Sequence, residues 1–154
     1  MSTTAITDPS RRWVIAAGLG AGLCVAWRPA RAFSEELTNA LRGFTGGAPT
    51  REGKVNFDIA PLVENGNTVP VTITVDNPMT ADNHVQAIAI FNERNPQTQV
   101  ASFVLGPRAG RANVSTRIRL ATSQKLTAVA RFSDGSHWSR TVDVIVTLAA
   151  CVES

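Results

Sequence analysis

The sequence predicts an all-β fold: an immunoglobulin-like antiparallel β-sandwich of about seven strands, preceded by a short N-terminal helix. Three observations carry this reading. Apolar and polar residues alternate at period two, most clearly where Val69, Val71, Ile73 and Val75 interleave with Thr72 and Thr74. Turn residues such as Asp76-Asn77-Pro78, Asn92 to Pro96, Gly106-Pro107 and Ser133-Asp134-Gly135-Ser136 punctuate the chain at the spacing of a two-sheet sandwich. Past residue 53 every segment reads as strand.

Taken in order, Ser34-Glu35-Glu36-Leu37 carries the marks of a helix start, with Ser34 as N-cap and acids in the first turn. Leu37 and Leu41 are one turn apart, and the helix is expected to stop by Gly43, with Gly46-Gly47-Ala48-Pro49 as a linker. Val55, Phe57 and Ile59 open the strands, and Pro61 ends that segment. Pro70 places the second strand at an edge or marks its beginning. His84 to Phe91 is apolar on both parities, which predicts a central strand covered on both faces. Val100 to Leu105 follows. Val114, Thr116, Ile118 and Leu120 then face inward against Ser115, Arg117 and Arg119 outward. Leu126 to Phe132 and His137 to Leu148 complete the set, with Val142, Val144, Val146 and Leu148 on one face.

The charge is distributed unevenly. The chain has 154 residues with 15 basic and 12 acidic side chains, a net of +3. Residues 1–32 hold Arg11, Arg12, Arg28 and Arg31 against Asp8 alone, so the whole excess lies there and residues 33–154 are neutral. Arg11-Arg12 precedes a charge-free stretch from Trp13 to Trp27 that is short for a membrane span. Ala30-Arg31-Ala32 offers the small residues that a signal peptidase accepts. These features predict a twin-arginine export signal over 1–32, cleaved near Ala32-Phe33, and a periplasmic product. The remaining organisation is a helix and linker over 33–53, a β-sandwich over 54–148 and a C-terminal cysteine tail over 149–154.

Removal of the signal takes Cys24 with it and leaves Cys151 as a single thiol, the fourth residue from the end and just beyond an apolar strand. An unpaired cysteine in an oxidising compartment is an intermolecular disulfide partner, a buried inert thiol or a reactive group. Two histidines, His84 and His137, are few for a catalytic or metal site and are expected at the surface or rim. Asp134, Ser136 and His137 have the residue types of a hydrolytic triad, but on one tight turn Asp-Gly-Ser is turn chemistry. Cys151, His84, His137 and Met79 are too scattered for a blue-copper loop. Arg108, Arg111, Arg117 and Arg119 lack interleaved aromatics, which argues for a solvated or docking face and against nucleic acid. Enzymatic activity, a resident cofactor, a metal and a membrane association are therefore not expected.

At the level of motifs the chain resembles a known family. Asp58-Ile59-Ala60-Pro61-Leu62-Val63-Glu64-Asn65-Gly66-Asn67-Thr68-Val69-Pro70, Ile90-Phe91-Asn92-Glu93, Leu105-Gly106-Pro107-Arg108-Ala109-Gly110, Val114-Ser115-Thr116-Arg117-Ile118-Arg119-Leu120 and Ser133-Asp134-Gly135 together resemble SoxY. SoxY is the sulfur-carrier subunit of the periplasmic thiosulfate-oxidation system. The resemblance implies an immunoglobulin-like subunit that forms a heterodimer with a SoxZ-like sandwich. It also implies a C-terminal cysteine loaded with thiosulfate by a c-type haem SoxAX-like enzyme and served by a SoxB-like hydrolase. By position that cysteine is Cys151.

The family tail reads Gly-Gly-Cys-Gly-Gly, whereas here Leu148-Ala149-Ala150-Cys151-Val152-Glu153-Ser154 contains no glycine. Alanine and valine narrow the backbone angles and thicken the arm, and Glu153 adds a negative charge beside an anionic adduct. Two functions follow from the sequence: a covalent sulfur carrier acting through Cys151, or a non-catalytic binding subunit of a sulfur-oxidation complex.

Overall fold

The computed structural model describes residues 30–150, with side chains from residue 35 onward. All of the expected export signal but its last three residues, together with Cys24 and Cys151, lies outside the described residues. One helix, α1 (Ala30–Thr45), precedes nine strands: β1 (Thr50–Glu52), β2 (Val55–Asp58), β3 (Leu62–Val63), β4 (Val69–Val75), β5 (Val85–Asn92), β6 (Gln99–Val104), β7 (Ala112–Ile118), β8 (Gln124–Phe132) and β9 (His137–Val146). The larger sheet runs β1-β9-β8-β5-β6, with β3 joined to the end of β9, and the smaller runs β2-β4-β7. The two sheets form the predicted sandwich. Its extra strands are the short β1 and β3, which both pair in parallel with β9.

The period-two pattern of β4 is reproduced in its burial: Val69, Val71, Ile73 and Val75 are inside and the residues between them face out. Against them from the larger sheet pack Ile88 and Ile90 of β5, Leu126, Ala128 and Ala130 of β8, and Val144 of β9. β4 is the middle strand of its sheet. Pro70 is accommodated because it sits at the strand's beginning, beyond the reach of β2, which pairs only with residues 72–75.

β5 is covered on both faces, as its continuous apolar run requires. Ile88 and Ile90 enter the sandwich, while Ala89 and Phe91, with Val129 of β8, meet Leu37, Ala40, Leu41 and Phe44 of α1. A register shift between Val85 and Ala87 lets Val85 join the same interior cluster as Ile88 despite its opposite parity.

Both ends of α1 differ from the sequence expectation. The helix is already formed at Ala30, since Ala30-Arg31-Ala32 are strong helix formers, and Ser34 lies within it instead of capping it. It also passes through Gly43 and ends two residues later, at Thr45. Gly46 has φ 64 and the Gly47 N–H donates to Arg42 O at 3.1 Å, the left-handed termination that favours glycine. Gly43 is an exposed interior position tolerated because Phe44, next to it, anchors the helix edge-on to Phe91 with ring centroids 5.9 Å apart. Among the described residues no helix is long and apolar enough to cross a membrane.

His137 is a second correction. Expected at the rim, it is only 5% exposed, because Phe44 closes over it with centroids 6.3 Å apart, and neither ring nitrogen has a hydrogen-bond partner. The last strand also ends at Val146, two residues early, and Leu148 is 62% exposed instead of sharing the inner face.

Two outcomes follow from this packing. Nothing lies within 4 Å of a Cβ built at Gly43, so Gly43→Ala should stabilise the fold by about 1 kcal/mol, raising the thermal midpoint by roughly 4 °C. Burial first, and the Arg131 charge second, hold His137 below the usual histidine value. The unfolded chain therefore takes up a proton near about pH 6.5 that the folded protein resists, and stability should fall as pH drops below that point. Urea midpoints measured across this range should slope with pH in the wild type and flatten in His137→Gln.

Candidate functional site

The C-terminal end of β9 is held by a set of backbone hydrogen bonds that continues past the strand. The Thr147 N–H donates to Val63 O at 3.0 Å and the Leu148 N–H to Glu64 O at 3.2 Å. The Gly66 N–H then returns a bond to Leu148 O at 2.8 Å. The Leu120 N–H donates to Gly66 O at 2.8 Å, and the Ala150 N–H to Leu120 O at 3.1 Å. Three segments distant in sequence meet here, and Ala150 is 5% exposed.

Gly66 makes the meeting possible. A Cβ at this position would collide with Leu120 O, and would come to 3.0 Å from Ala150 N and 3.2 Å from Val146 Cγ1. No side chain fits, and backbone on two sides leaves little room to yield. Cys151 follows directly on Ala150, the last of the described residues. Chain connectivity alone fixes its Cα about 3.8 Å from that of Ala150.

Ala150 forms part of the wall of a cleft of about 450 Å³ at the open edge of the sandwich. β6 ends the larger sheet and β7 the smaller, and the cleft lies between them. Val100 and Ala101 of β6 line one side of it, and Thr116, Arg117 and Ile118 of β7, with Arg119 just beyond, line the other. The structure thus divides the basic run seen in the sequence. Arg117 and Arg119 border the tail cleft. Arg111 lines a separate cleft of about 520 Å³ with Lys54 and Asp76 at the other end of the β4–β7 ladder. Arg108 is exposed on the 3₁₀ turn Pro107–Ala109.

The floor of the tail cleft is fixed by an amide cluster that the sequence disguised as a turn. Asn95 Nδ2 donates to Arg119 O at 2.7 Å, while Asn95 Oδ1 accepts from the Ala121 N–H at 3.0 Å and from Gln124 Nε2 at 2.8 Å. Asn92, 1% exposed, holds the same turn by accepting from the Asn95 N–H at 2.9 Å and donating to Gln97 O at 2.8 Å. The paired asparagines at 92 and 95 in a short polar stretch were the available signal for this cluster.

The other residues considered from sequence are not brought into this site. Asp134 Oδ1 accepts from the Ser136 N–H at 2.9 Å and Ser136 Oγ accepts from Trp138 Nε1 at 3.3 Å, while both His137 nitrogens stay unpartnered. The Asp-Gly-Ser stretch is a turn, as its composition predicts. His84 is half-buried, and its N–H donates to Ser133 Oγ at 3.1 Å. Met79 is buried, its sulfur accepting from the Val85 N–H at 3.4 Å. Among the described residues no cluster of three or more His, Cys, Asp or Glu side chains is arranged to hold a metal.

Gly66→Ala should therefore destabilise the protein by about 1–3 kcal/mol in urea unfolding. Hydrogen exchange at the Ala150 amide should rise in the same variant, because that bond depends on the close approach.

The family model of the sulfur oxidation protein SoxY matches residues 41–151. Among solved structures, the sulfur carrier protein SoxY from Chlorobium limicola f thiosulfatophilum superposes with a TM-score of 0.63 at 29% identity, covering 75% of this chain and 99% of that one. Superoxide reductase (neelaredoxin) from Ignicoccus hospitalis gives 0.55 at 16% identity over 61% of this chain and 80% of that one. A putative superoxide reductase from Thermotoga maritima gives 0.55 at 18% over 63% and 93%. At such identities the likeness to the reductases is one of fold alone. Curated proteins yield no match. The SoxY match takes in the sandwich, the clamp at Gly66, Leu120 and Ala150, and the cysteine beyond it; the chain belongs to the SoxY family of sulfur oxidation proteins.

Proposed function

We propose that this protein is a covalent sulfur carrier that holds a sulfur oxyanion on Cys151 and presents it to partner enzymes. The observation that carries this reading is that the SoxY match runs through to Cys151 itself. The solved relative is named a sulfur carrier protein, and it aligns over almost its full length.

In this reading the Cys151 thiolate and the sulfane sulfur of thiosulfate join in a two-electron oxidation: Cys–S⁻ plus ⁻S–SO₃⁻ gives Cys–S–S–SO₃⁻, and a c-type haem partner accepts both electrons. A hydrolase then cleaves the terminal sulfur–sulfur bond with water, releasing sulfate and two protons and leaving Cys–S–S⁻. The carrier supplies the thiol and its setting, and the partners supply the redox and hydrolytic chemistry. A SoxZ-like sandwich completes the carrier as a heterodimer. The twin arginine at Arg11-Arg12 sends the folded protein to the periplasm.

The test is the intact mass of non-reduced mature protein after exposure to thiosulfate and the partner enzymes. One added thiosulfate group, removed by dithiothreitol and absent in Cys151→Ser, is the expected outcome. A protein that stays unmodified while the same extract loads a Gly-Gly-Cys-Gly-Gly carrier would instead make it a binding subunit without covalent transfer.

A further inference from the structure

We propose that α1 is an acid-released cover: a proton on His137 drives Phe44 off the imidazole, and the helix leaves the larger sheet while the sandwich stays folded. The inference is independent of the carrier reading.

Three observations support it. First, Phe44 is the part of α1 that closes over His137, edge-on with ring centroids 6.3 Å apart, and the Arg131 guanidinium lies 5.7 Å from the centroid of the same phenyl ring. Second, His137 Nδ1, His137 Nε2 and Arg131 Nε are all buried without a hydrogen-bond partner. A neutral imidazole bears this at some cost, whereas an imidazolium brings two N–H donors and a charge that nothing here receives. Lifting Phe44 lets water solvate the ring. Third, α1 is held by a separable contact. Leu37, Ala40, Leu41 and Phe44 pack on Ala89, Phe91 and Val129, an apolar cluster distinct from the core between the sheets. Gly46 and Gly47, at φ 64 and 84 with nothing within 4 Å of a built Cβ, supply the hinge.

The surrounding charges act in the same direction. Arg131 of β8 is the register partner of His137 and opposes a second positive charge beside it. Asp134 favours the charged ring, but it is exposed and its Oδ1 already accepts from the Ser136 N–H. β1 brings Glu52, opposite Ser139, and Arg51, over the Trp138 ring, both exposed. From α1 come exposed Arg42 in the last turn and, about 12 Å or more back along the axis from Phe44, Glu36 and Glu35. β5 sets Ala87 opposite Arg131, and His84 at its entry is half-buried. None of these carboxylates bonds to the imidazole.

The sign follows from linkage. Burial, and then Arg131, hold the covered ring below the usual histidine value, while an uncovered ring takes up its proton near about pH 6.5. Acid therefore favours the open form, and its population should rise up to about tenfold between about pH 7.5 and 5.5.

The test is hydrogen exchange of the mature protein at those two pH values, corrected for the intrinsic pH dependence of amide exchange and read segment by segment. Protection of the α1 amides should fall by up to about tenfold, with β5 and β8 unchanged. His137→Gln should hold α1 protection constant across the range, His84→Gln should respond like the wild type, and Phe44→Ala should leave α1 weakly protected at both values. A wild-type α1 whose protection does not change would overturn the proposal. So would a loss shared equally by β5 and β8, or the wild-type response persisting in His137→Gln or Phe44→Ala, or vanishing in His84→Gln. Imidazole NMR of the wild type needs no variant to fold: His137 should take up its proton over the range in which α1 loses protection. Protonation of His137 with α1 still fully protected would equally overturn the cover.

Discussion

The backbone relay from Leu148 through Gly66 and Leu120 to Ala150 is the constraint on which the functional end of this protein depends. Each of its bonds joins a segment from a different part of the chain: the loop before β4, the stretch after β7 and the exit from β9. None lies within a regular ladder, so no neighbouring strand pair would preserve the arrangement if one bond were lost. A net contribution of about 1 kcal/mol per bond is ordinary. The importance of these bonds is positional, because they hold Ala150 against the sandwich.

The sandwich edge and the relay solve one problem together. β6 and β7 end their sheets, and an open edge between two sheets leaves apolar side chains that need a cover. Here the 92–97 turn and Ala150 lie across part of that gap. The amides of Asn92, Asn95 and Gln124 satisfy the backbone groups that the crossing would otherwise strand. Asn95 makes use of both ends of its amide, so neither aspartate nor leucine of similar size could replace it without orphaning a partner.

Much of this was legible in the sequence, for a physical reason. Period-two alternation reports which face of a strand is wet, and in β4 and β7 the face is all that burial depends on. The unbroken run of β5 announced a second cover, and α1 supplies it. The end of α1 was less readable, because glycine composition does not tell which glycine adopts the left-handed conformation: Gly43 stays helical and Gly46 turns. His137 was misplaced because the side chain that buries it, Phe44, is far away in sequence. In the site, Cys151 stood out by position and Arg117 and Arg119 as members of a basic run. Their common boundary with the tail is a property of tertiary folding alone, as is the role of Gly66, whose missing side chain matters only because Leu120 and Ala150 arrive from elsewhere.

The glycine-free tail acquires a physical meaning in this setting. The Cα of Cys151 lies about 3.8 Å from that of Ala150 by covalent geometry, so where Ala150 is held limits where the thiol can go. Opening the Ala150 and Leu148 bonds frees the chain back to the end of β9, and extended backbone adds about 3.5 Å for each residue released. The net loss is on the order of 2–3 kcal/mol, within what a docking partner supplies through a few contacts. A Gly-Gly segment has more backbone freedom and bears a larger entropy cost whenever it is ordered. Alanines at 149 and 150 narrow that freedom, and the relay holds the second of them in place through its own amide.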